Sequence, residues 1–392
     1  MRASRIGCAA LTIFAIAGAA GPLSPLFAAA TPAAADNPPR EEVVATQLLS
    51  PALKASLRQL AGARNSRQLT AAARLDAAKR MIEGGRVNGD PRTLGYAEAL
   101  LEPWRDEDSS PSEALVLRAT IEQARHHFSR ARALLDQVLL RDATHPQALL
   151  TRATIATVTG DYDLARRDCQ ALRPIAADAG AICGAGVDAV TGAELRALQT
   201  LRIAAGRTRG AMRAWAIACL GQVLEQRGEA DAAMKAYRTS IEIDEDVVTR
   251  VAFANLLFSQ RRHRDAQQVL ATAPAVDAVL LLRWQIGRAL REPVDDLRVQ
   301  LHDRFAQAAS RGELVHTREA AQFALEDGRI DDALRLARDN WSAQREPADL
   351  LVLARAARAA NDLATKLEAA SWVRQTRLRD VRLPIPREDS RT

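Results

Sequence analysis

The chain has 392 residues, 48% of them apolar and only 4% aromatic. That length suits two or three domains, or one long repeat array, better than a single ordinary core. The formal charge is +6, but Arg and Lys are scattered among acids without a block of like charge, which argues against a nucleic-acid footprint. Alanine accounts for 80 residues, so small side chains rather than rings must make the contacts where elements meet.

The first stretch reads as a secretory leader. Arg2 and Arg5 precede an apolar run from Cys8 to Ala20, and Pro22 and Pro25 then interrupt it. Small residues follow, Ala28 to Ala30 and Ala33 to Ala35, so cleavage after Ala30 or Ala35 fits the small-x-small rule. The alternative is an uncleaved anchor, although the run is short and broken for a membrane span. The expected organisation is a leader over 1–30, a Pro/Ala linker and capping helices over 31–70, a helical array over 71–379, and an extended or disordered tail over 380–392.

Within the array the sequence repeats. Arg-Ala-Thr-Ile occurs at Arg118–Ile121 and again at Arg152–Ile155, a shift of 34. Gly160-Asp161-Tyr162 has the make-up of a helix–turn–helix junction, and Ala165, Ala131 and Ala97 recur at the same period. A small residue also stands 12 positions before each such Ala: Gly85 and Ala97, Ala119 and Ala131, Ala153 and Ala165, Ala185 and Ala197, Gly221 and Ala233, Ala254 and Ala266, Ala321 and Ala333. Two antiparallel helices approach closely only where both lack bulk, so each pair predicts a crossing. Turn glycines at Gly160, Gly192, Gly228 and Gly328 separate the two helices. No alternating strand pattern competes.

A helical hairpin of this length, with Leu220-Gly221, Gly228, Ala233 and Tyr237 in its best copy, resembles the tetratricopeptide repeat. The resemblance covers roughly Leu75 to Arg379. Two units depart from it: the stretch from Val276 to Gly312 is long, with Pro293 opening its second helix, and Lys366 replaces the small residue expected opposite Ala354. The resemblance implies an all-α, right-handed α-solenoid of about eight or nine hairpins whose first helices line a concave groove. Positions matching that groove are Arg86, Gln123, Thr154, Trp215, Gln222, Glu225, Asn255, Phe258, Gln322, Arg355 and Arg358. Such a surface suits an extended peptide or a partner helix, or else these are ordinary solvated positions, with Trp215 and Phe258 in the core. The Lys/Asn clamp by which some tetratricopeptide proteins hold a C-terminal carboxylate has no lysines here and is not carried over.

Arg118 and Arg152 are equivalent, and Arg283 is a third candidate. Either they form a ladder facing an acidic partner, or each stem packs while its head pairs with a nearby acid; the second reading is preferred. Cys169 and Cys183 fall on helices that neighbour each other in a stack, which export would allow to be bridged; the alternative is two buried thiols. The six histidines form no zinc-spaced set, and no phosphate loop or nucleophile elbow occurs. The sequence thus points to a non-enzymatic scaffold in the bacterial cell envelope, periplasmic or secreted. It would need no cofactor or metal, bind other proteins rather than nucleic acid, and keep no membrane span after cleavage. The competing reading is a helical-superhelix enzyme or ligand-binding protein acting on cell-wall polysaccharide.

Overall fold

The computed structural model describes residues 69–88, 92–310, 312 and 316–385. The leader, nearly all of the expected linker and cap, and residues 386–392 lie outside the described residues. Among the described residues there are eighteen α-helices, one 3-10 turn and no strand.

The helices form nine consecutive hairpins. They are α1 (Ala71–Asn88) with α2 (Arg92–Leu100), α3 (Ser112–Ala124) with α4 (Phe128–Arg141), and α5 (Pro146–Thr159) with α6 (Tyr162–Leu172). Then come α7 (Ala177–Val190) with α8 (Glu194–Arg207), α9 (Gly210–Gln226) with α10 (Ala230–Ile243), and α11 (Val247–Ser259) with α12 (His263–Leu270). The last three are α13 (Asp277–Leu290) with α14 (Asp295–Ser310), α15 (Thr317–Glu326) with α16 (Ile330–Ala343), and α17 (Pro347–Ala359) with α18 (Leu363–Thr376). Each helix packs on the next, and most first helices also touch the first helix of the following hairpin, so the chain is an all-α solenoid.

One turn ends the first helix of hairpins two to nine. His126, Gly160, Gly192, Gly228, Arg261, Arg291, Gly328 and Asn361 all take a positive φ. The residue after each donates its N–H to the carbonyl five positions earlier, as in Asp161 to Ala156 at 2.7 Å, Glu229 to Leu224 at 2.9 Å and Asp362 to Ala357 at 2.9 Å. This left-handed cap satisfies carbonyls that the helix end leaves open. Its recurrence fixes the register of the repeat more firmly than the Gly pattern does.

The small-residue pairs sit at the hairpin crossings. Ala119 and Ala131, Ala153 and Ala165, Ala254 and Ala266, and Ala321 and Ala333 are all at 0% exposure. At Gly221 a Cβ would stand 2.8 Å from the Tyr237 ring, so the ring of the second helix needs the bare backbone of the first. The seventh hairpin breaks the rule. Trp284 occupies the small-residue position and packs edge-on against Phe323 at 5.0 Å, and Gly287, one turn later, gives room to Val294. In the ninth, Lys366 turns back so that its Nζ donates to Asn361 Oδ1 at 2.7 Å, while Thr365 is buried in its place.

Cys169 on α6 and Cys183 on α7 are joined as a disulfide with Cα atoms 5.5 Å apart, tying hairpin three to hairpin four.

The solenoid then curls back on itself. The N–H of Arg345 donates to the Val158 carbonyl at 2.7 Å, and Gln344 Nε2 lies 2.9 Å from His126 Nδ1. Trp372 lies over Gly160, where a Cβ would come within 2.7 Å of its ring, and Arg345 stacks above that ring at 4.8 Å. Tyr162 and Trp341 complete the aromatic patch, 6.1 and 5.5 Å from Trp372. Arg377 covers Gly192, and Val381 covers Gly228. The turns of hairpins two to five thus seat the last hairpins and the segment after them. Residues 380–385, from the tail expected to be extended or disordered, lie on this seat: Val381 donates to the Gln226 carbonyl at 2.9 Å and Asp380 is buried. Glycine at these turns therefore serves twice, as a left-handed cap and as bare backbone under the returning chain. The uncovered turns at Arg261 and Arg291 carry long side chains instead; Gly328, with nothing near it, is the exception.

Candidate inner-face binding site

Counting back from the left-handed turn residue defines two rows on the first helices. Six positions back stand Thr154, Gln222, Asn255, Gln285, Gln322 and Arg355; three back stand Gln123, Glu225, Phe258, Arg288 and Arg358. Six and three positions are close to whole turns of helix, so both rows fall on one face.

The structure divides the expected site residues into two groups. Toward the N-terminus they are covered. Gln123 and Thr154 are buried, and Thr154 Oγ1 donates to its own helix at Leu150 O, 2.9 Å away. Trp215 belongs to neither row and is buried in the main core. Arg86 falls near the end of α1, and its side chain lies outside the described residues. Toward the C-terminus the face is open. Asn255, Arg355 and Arg358 are exposed, while Gln222, Phe258 and Gln322 are half-buried. Phe258 rests against His263, with ring centroids 5.1 Å apart.

Four residues that the sequence reading missed complete this part, one of them, Gln285, buried beneath it. Gln285 Nε2 donates to Glu326 Oε1 at 2.6 Å, and Arg288 Nη1 donates to the Glu326 carbonyl at 3.1 Å. Burial raises the Glu326 pKa, opposed by hydrogen bonds from Gln285 and Gln322 and by the charges of Arg288 and Arg355. Burial also lowers the Arg355 pKa; Glu326 opposes this, and the nearby cations Arg382 and Arg358 add to it. Arg382 comes from the tail and reaches Glu225 Oε1 at 2.7 Å. Gln285 and Arg288 hold the same row positions as Gln222 and Glu225, so the turn register was their signal. The stretched seventh unit hid it.

The three equivalent arginines bond within the chain. Arg152 is held between Asp136 at 2.7 Å and Asp168 at 2.8 Å. Arg118 donates to the Trp104 carbonyl at 3.0 Å, and Arg283 to the Leu270 carbonyl at 2.7 Å. Arg118 and Arg283 each fasten a first helix to the segment before it, and Arg152 ties its helix to both the helix before and the helix after.

A second polar cluster sits where the solenoid closes. Arg318 lies within 3.3 Å of Glu319, Glu346 and Asp349, all four buried. Burial opposes the charge of Arg318, but the three carboxylates more than offset this and its pKa is raised. Burial raises the pKa of Glu346 and of Asp349, with Arg318 pulling the other way. His126, brought in from hairpin two, is pushed down to about 3 by burial first, then by Arg318, His316 and His127. Among the described residues no group of three or more His, Cys, Asp or Glu is placed to hold a metal ion, and no helix is long and apolar enough to cross a membrane.

No family model and no curated protein matches the chain. Among solved structures it is similar to a tetratricopeptide repeat protein from Parabacteroides merdae, at 18% identity over 60% of this chain and 91% of that one, with a TM-score of 0.38. It is also similar to a thermophilic tetratricopeptide protein of Thermus thermophilus, at 19% identity over 50% of this chain and 100% of that one, with a TM-score of 0.38. The human IFIT1 dimer with PPP-AAAA aligns at 11% identity over 85% of this chain and 91% of that one, with a TM-score of 0.42. The tetratricopeptide-like character of the fold rests on the chain's own recurring turns and small-residue crossings.

Proposed function

We propose that this protein is an interaction scaffold whose open inner face, on hairpins five to nine, holds an extended peptide or a helix of a partner protein. The observation that carries the reading is the run of Gln222, Asn255, Phe258, Arg288, Gln322, Arg355 and Arg358 at equivalent places on successive first helices, exposed or half-exposed. Amide side chains at regular intervals supply hydrogen bonds that set register, and a ring supplies an apolar anchor. No catalytic role is assigned to any residue. The proposed location is the bacterial cell envelope, periplasmic or secreted. Support comes from the leader composition of residues 1–30 and from the Cys169–Cys183 bridge, which an oxidising compartment favours.

A photo-crosslinking residue at Asn255 tests the binding face, with Gln199, exposed on a second helix, as the control. Covalent protein partners are expected from Asn255 and not from Gln199. Equal capture from both sites, or none from Asn255, would sink the reading. Location is tested by N-terminal sequencing of the exported protein, where a start at Thr31 or Asp36 is expected and a start at Met1 would refute cleavage.

A further inference from the structure

Among hairpins two to nine, whose turns are described, hairpin five alone carries an acid on the row three positions before the turn: Glu225 stands where the others have Gln123, Thr157, Ala189, Phe258, Arg288, Leu325 and Arg358. Its carboxylate is held from beneath. Tyr237, at 0% exposure, donates its hydroxyl to Glu225 Oε2 at 2.7 Å, which leaves Oε1 for a second donor. Beside it, Gln226 ends α9 with a carbonyl free of the helix ladder, and Gly228 offers bare backbone at a positive φ.

The chain's own tail fills this socket as a bound peptide would. Val381 donates its N–H to Gln226 O at 2.9 Å, and its side chain lies on Gly228, where a Cβ would be 3.3 Å away. Arg382 presents Nη1 to Glu225 Oε1 at 2.7 Å, while Asp380 holds the other side of the guanidinium through Nε at 2.8 Å and Nη2 at 2.5 Å. Arg379 adds a bond to Glu194 at 3.1 Å. One main-chain hydrogen bond, one branched apolar side chain over a glycine and one paired arginine are the elements of extended-peptide recognition. Leu378 and Asp380 are buried while Val381 is 48% exposed, and the strap leaves α18 through a single left-handed residue, Arg377.

We propose that the Glu225 socket is a recognition site for an extended partner segment in which a small branched apolar residue precedes arginine, and that Val381–Arg382 occupies it in cis until such a segment displaces them. The inference rests on the reading of the inner face as a protein-binding surface and adds a partner chemistry and a competing occupant. A tethered tail acts at high local concentration, so a free peptide meets a site that is mostly filled and binds weakly until the tail is unseated.

The test uses the full chain and a fluorescent heptapeptide matching Arg379–Ile385, read by anisotropy. In Arg382→Glu, where three acids crowd the socket and expel the tail, the peptide should bind at least tenfold more tightly than to the parent chain. Val381→Pro removes the main-chain donor without changing charge and should give the same gain. Adding Glu225→Lys to either variant should abolish it, as should replacing the arginine that matches Arg382 in the peptide with Glu. Circular dichroism melts establish that each variant is folded. Equal binding to the parent chain and to both folded variants, or binding that survives Glu225→Lys, overturns the proposal. Capture of partners at Asn255 together with failure of the peptide would overturn the socket and leave the scaffold reading standing. Peptide binding as expected without any capture at Asn255 would support the socket and remove the wider groove.

Discussion

Hairpins two to six and the closing region after Thr317 are held together by opposite chemistry. In the stack, each crossing is a pair of Ala or Gly residues with no polar group, repeated at a fixed offset from a left-handed turn. At the closure, an arginine and three carboxylates are buried together beside a histidine brought from hairpin two. Small apolar crossings hold at any point along a rod and specify no end. A buried ionic cluster is costly to form incompletely, so Arg318 and its three acids fix how hairpin nine sits on hairpin eight, next to the Gln344 side chain that meets His126. Local stacking thus builds the solenoid, and the contacts that residues 344 to 382 make back to hairpins two to five decide where it closes.

The harshest way to break this contrast is Arg318→Leu. It strands Glu319, Glu346 and Asp349 in the interior without their cation, and the expected loss is about 3–5 kcal/mol in urea unfolding. A loss under about 1 kcal/mol would mean that the acids lie there already neutral and that apolar contacts hold hairpins eight and nine together. Next in size is the bridge between hairpins three and four. Replacing Cys169 and Cys183 with Ser opens a loop of 14 residues and should cost about 3 kcal/mol by chain entropy. An unchanged melt in non-reducing buffer would show that the sulfurs do not bridge in solution.

The stack itself is probed by Ala165→Leu. Ala165 is at 0% exposure in a crossing with Ala153, so the added bulk has no void to enter and should cost about 1–3 kcal/mol. The same change at Ala364, which is exposed on the last helix, should leave the melt unmoved. If both variants behave alike, the crossing geometry is wrong.

What the sequence reveals and what it hides follow from the same contrast. Ala119 and Ala131, or Gly221 and Tyr237, lie within one hairpin, and a fixed offset exposes them to any search for periodicity. That register also places Asn255, Phe258 and Arg355 on one face of successive first helices, and of the two readings open for Trp215, groove or core, the structure has the core, because a first helix also carries a core face. The closure leaves no such trace. Gln344 meets His126 across 218 positions, Arg379 meets Glu194 across 185, and Arg382 meets Glu225 across 157. None of these pairs repeats, and each partner alone reads as an ordinary surface residue. The tail reads as extended or disordered for the same reason: its charges and prolines suit solvent until a specific seat is known.

The gentlest probe of the closure is pH. His126 is buried and its folded pKa is pushed down to about 3, against about 6.5 in an unfolded chain. A depressed pKa means that the unfolded state takes up the proton first. The contribution of neutral His126 is therefore complete above about pH 6.5 and is lost as pH falls from there toward 3. Between pH 7 and 5.5 the loss amounts to about 1 kcal/mol. Glu346 and Asp349 work the other way, since their raised pKa values favour the folded state on acidification. The net pH profile of the parent chain therefore mixes both terms. Comparison with His126→Gln separates them, because glutamine can keep a hydrogen bond to Gln344 and cannot titrate. The parent chain should lose about 1 kcal/mol more than His126→Gln between pH 7 and 5.5 in urea unfolding. Identical losses would mean that His126 is solvated, and that hairpin two does not meet the closing cluster.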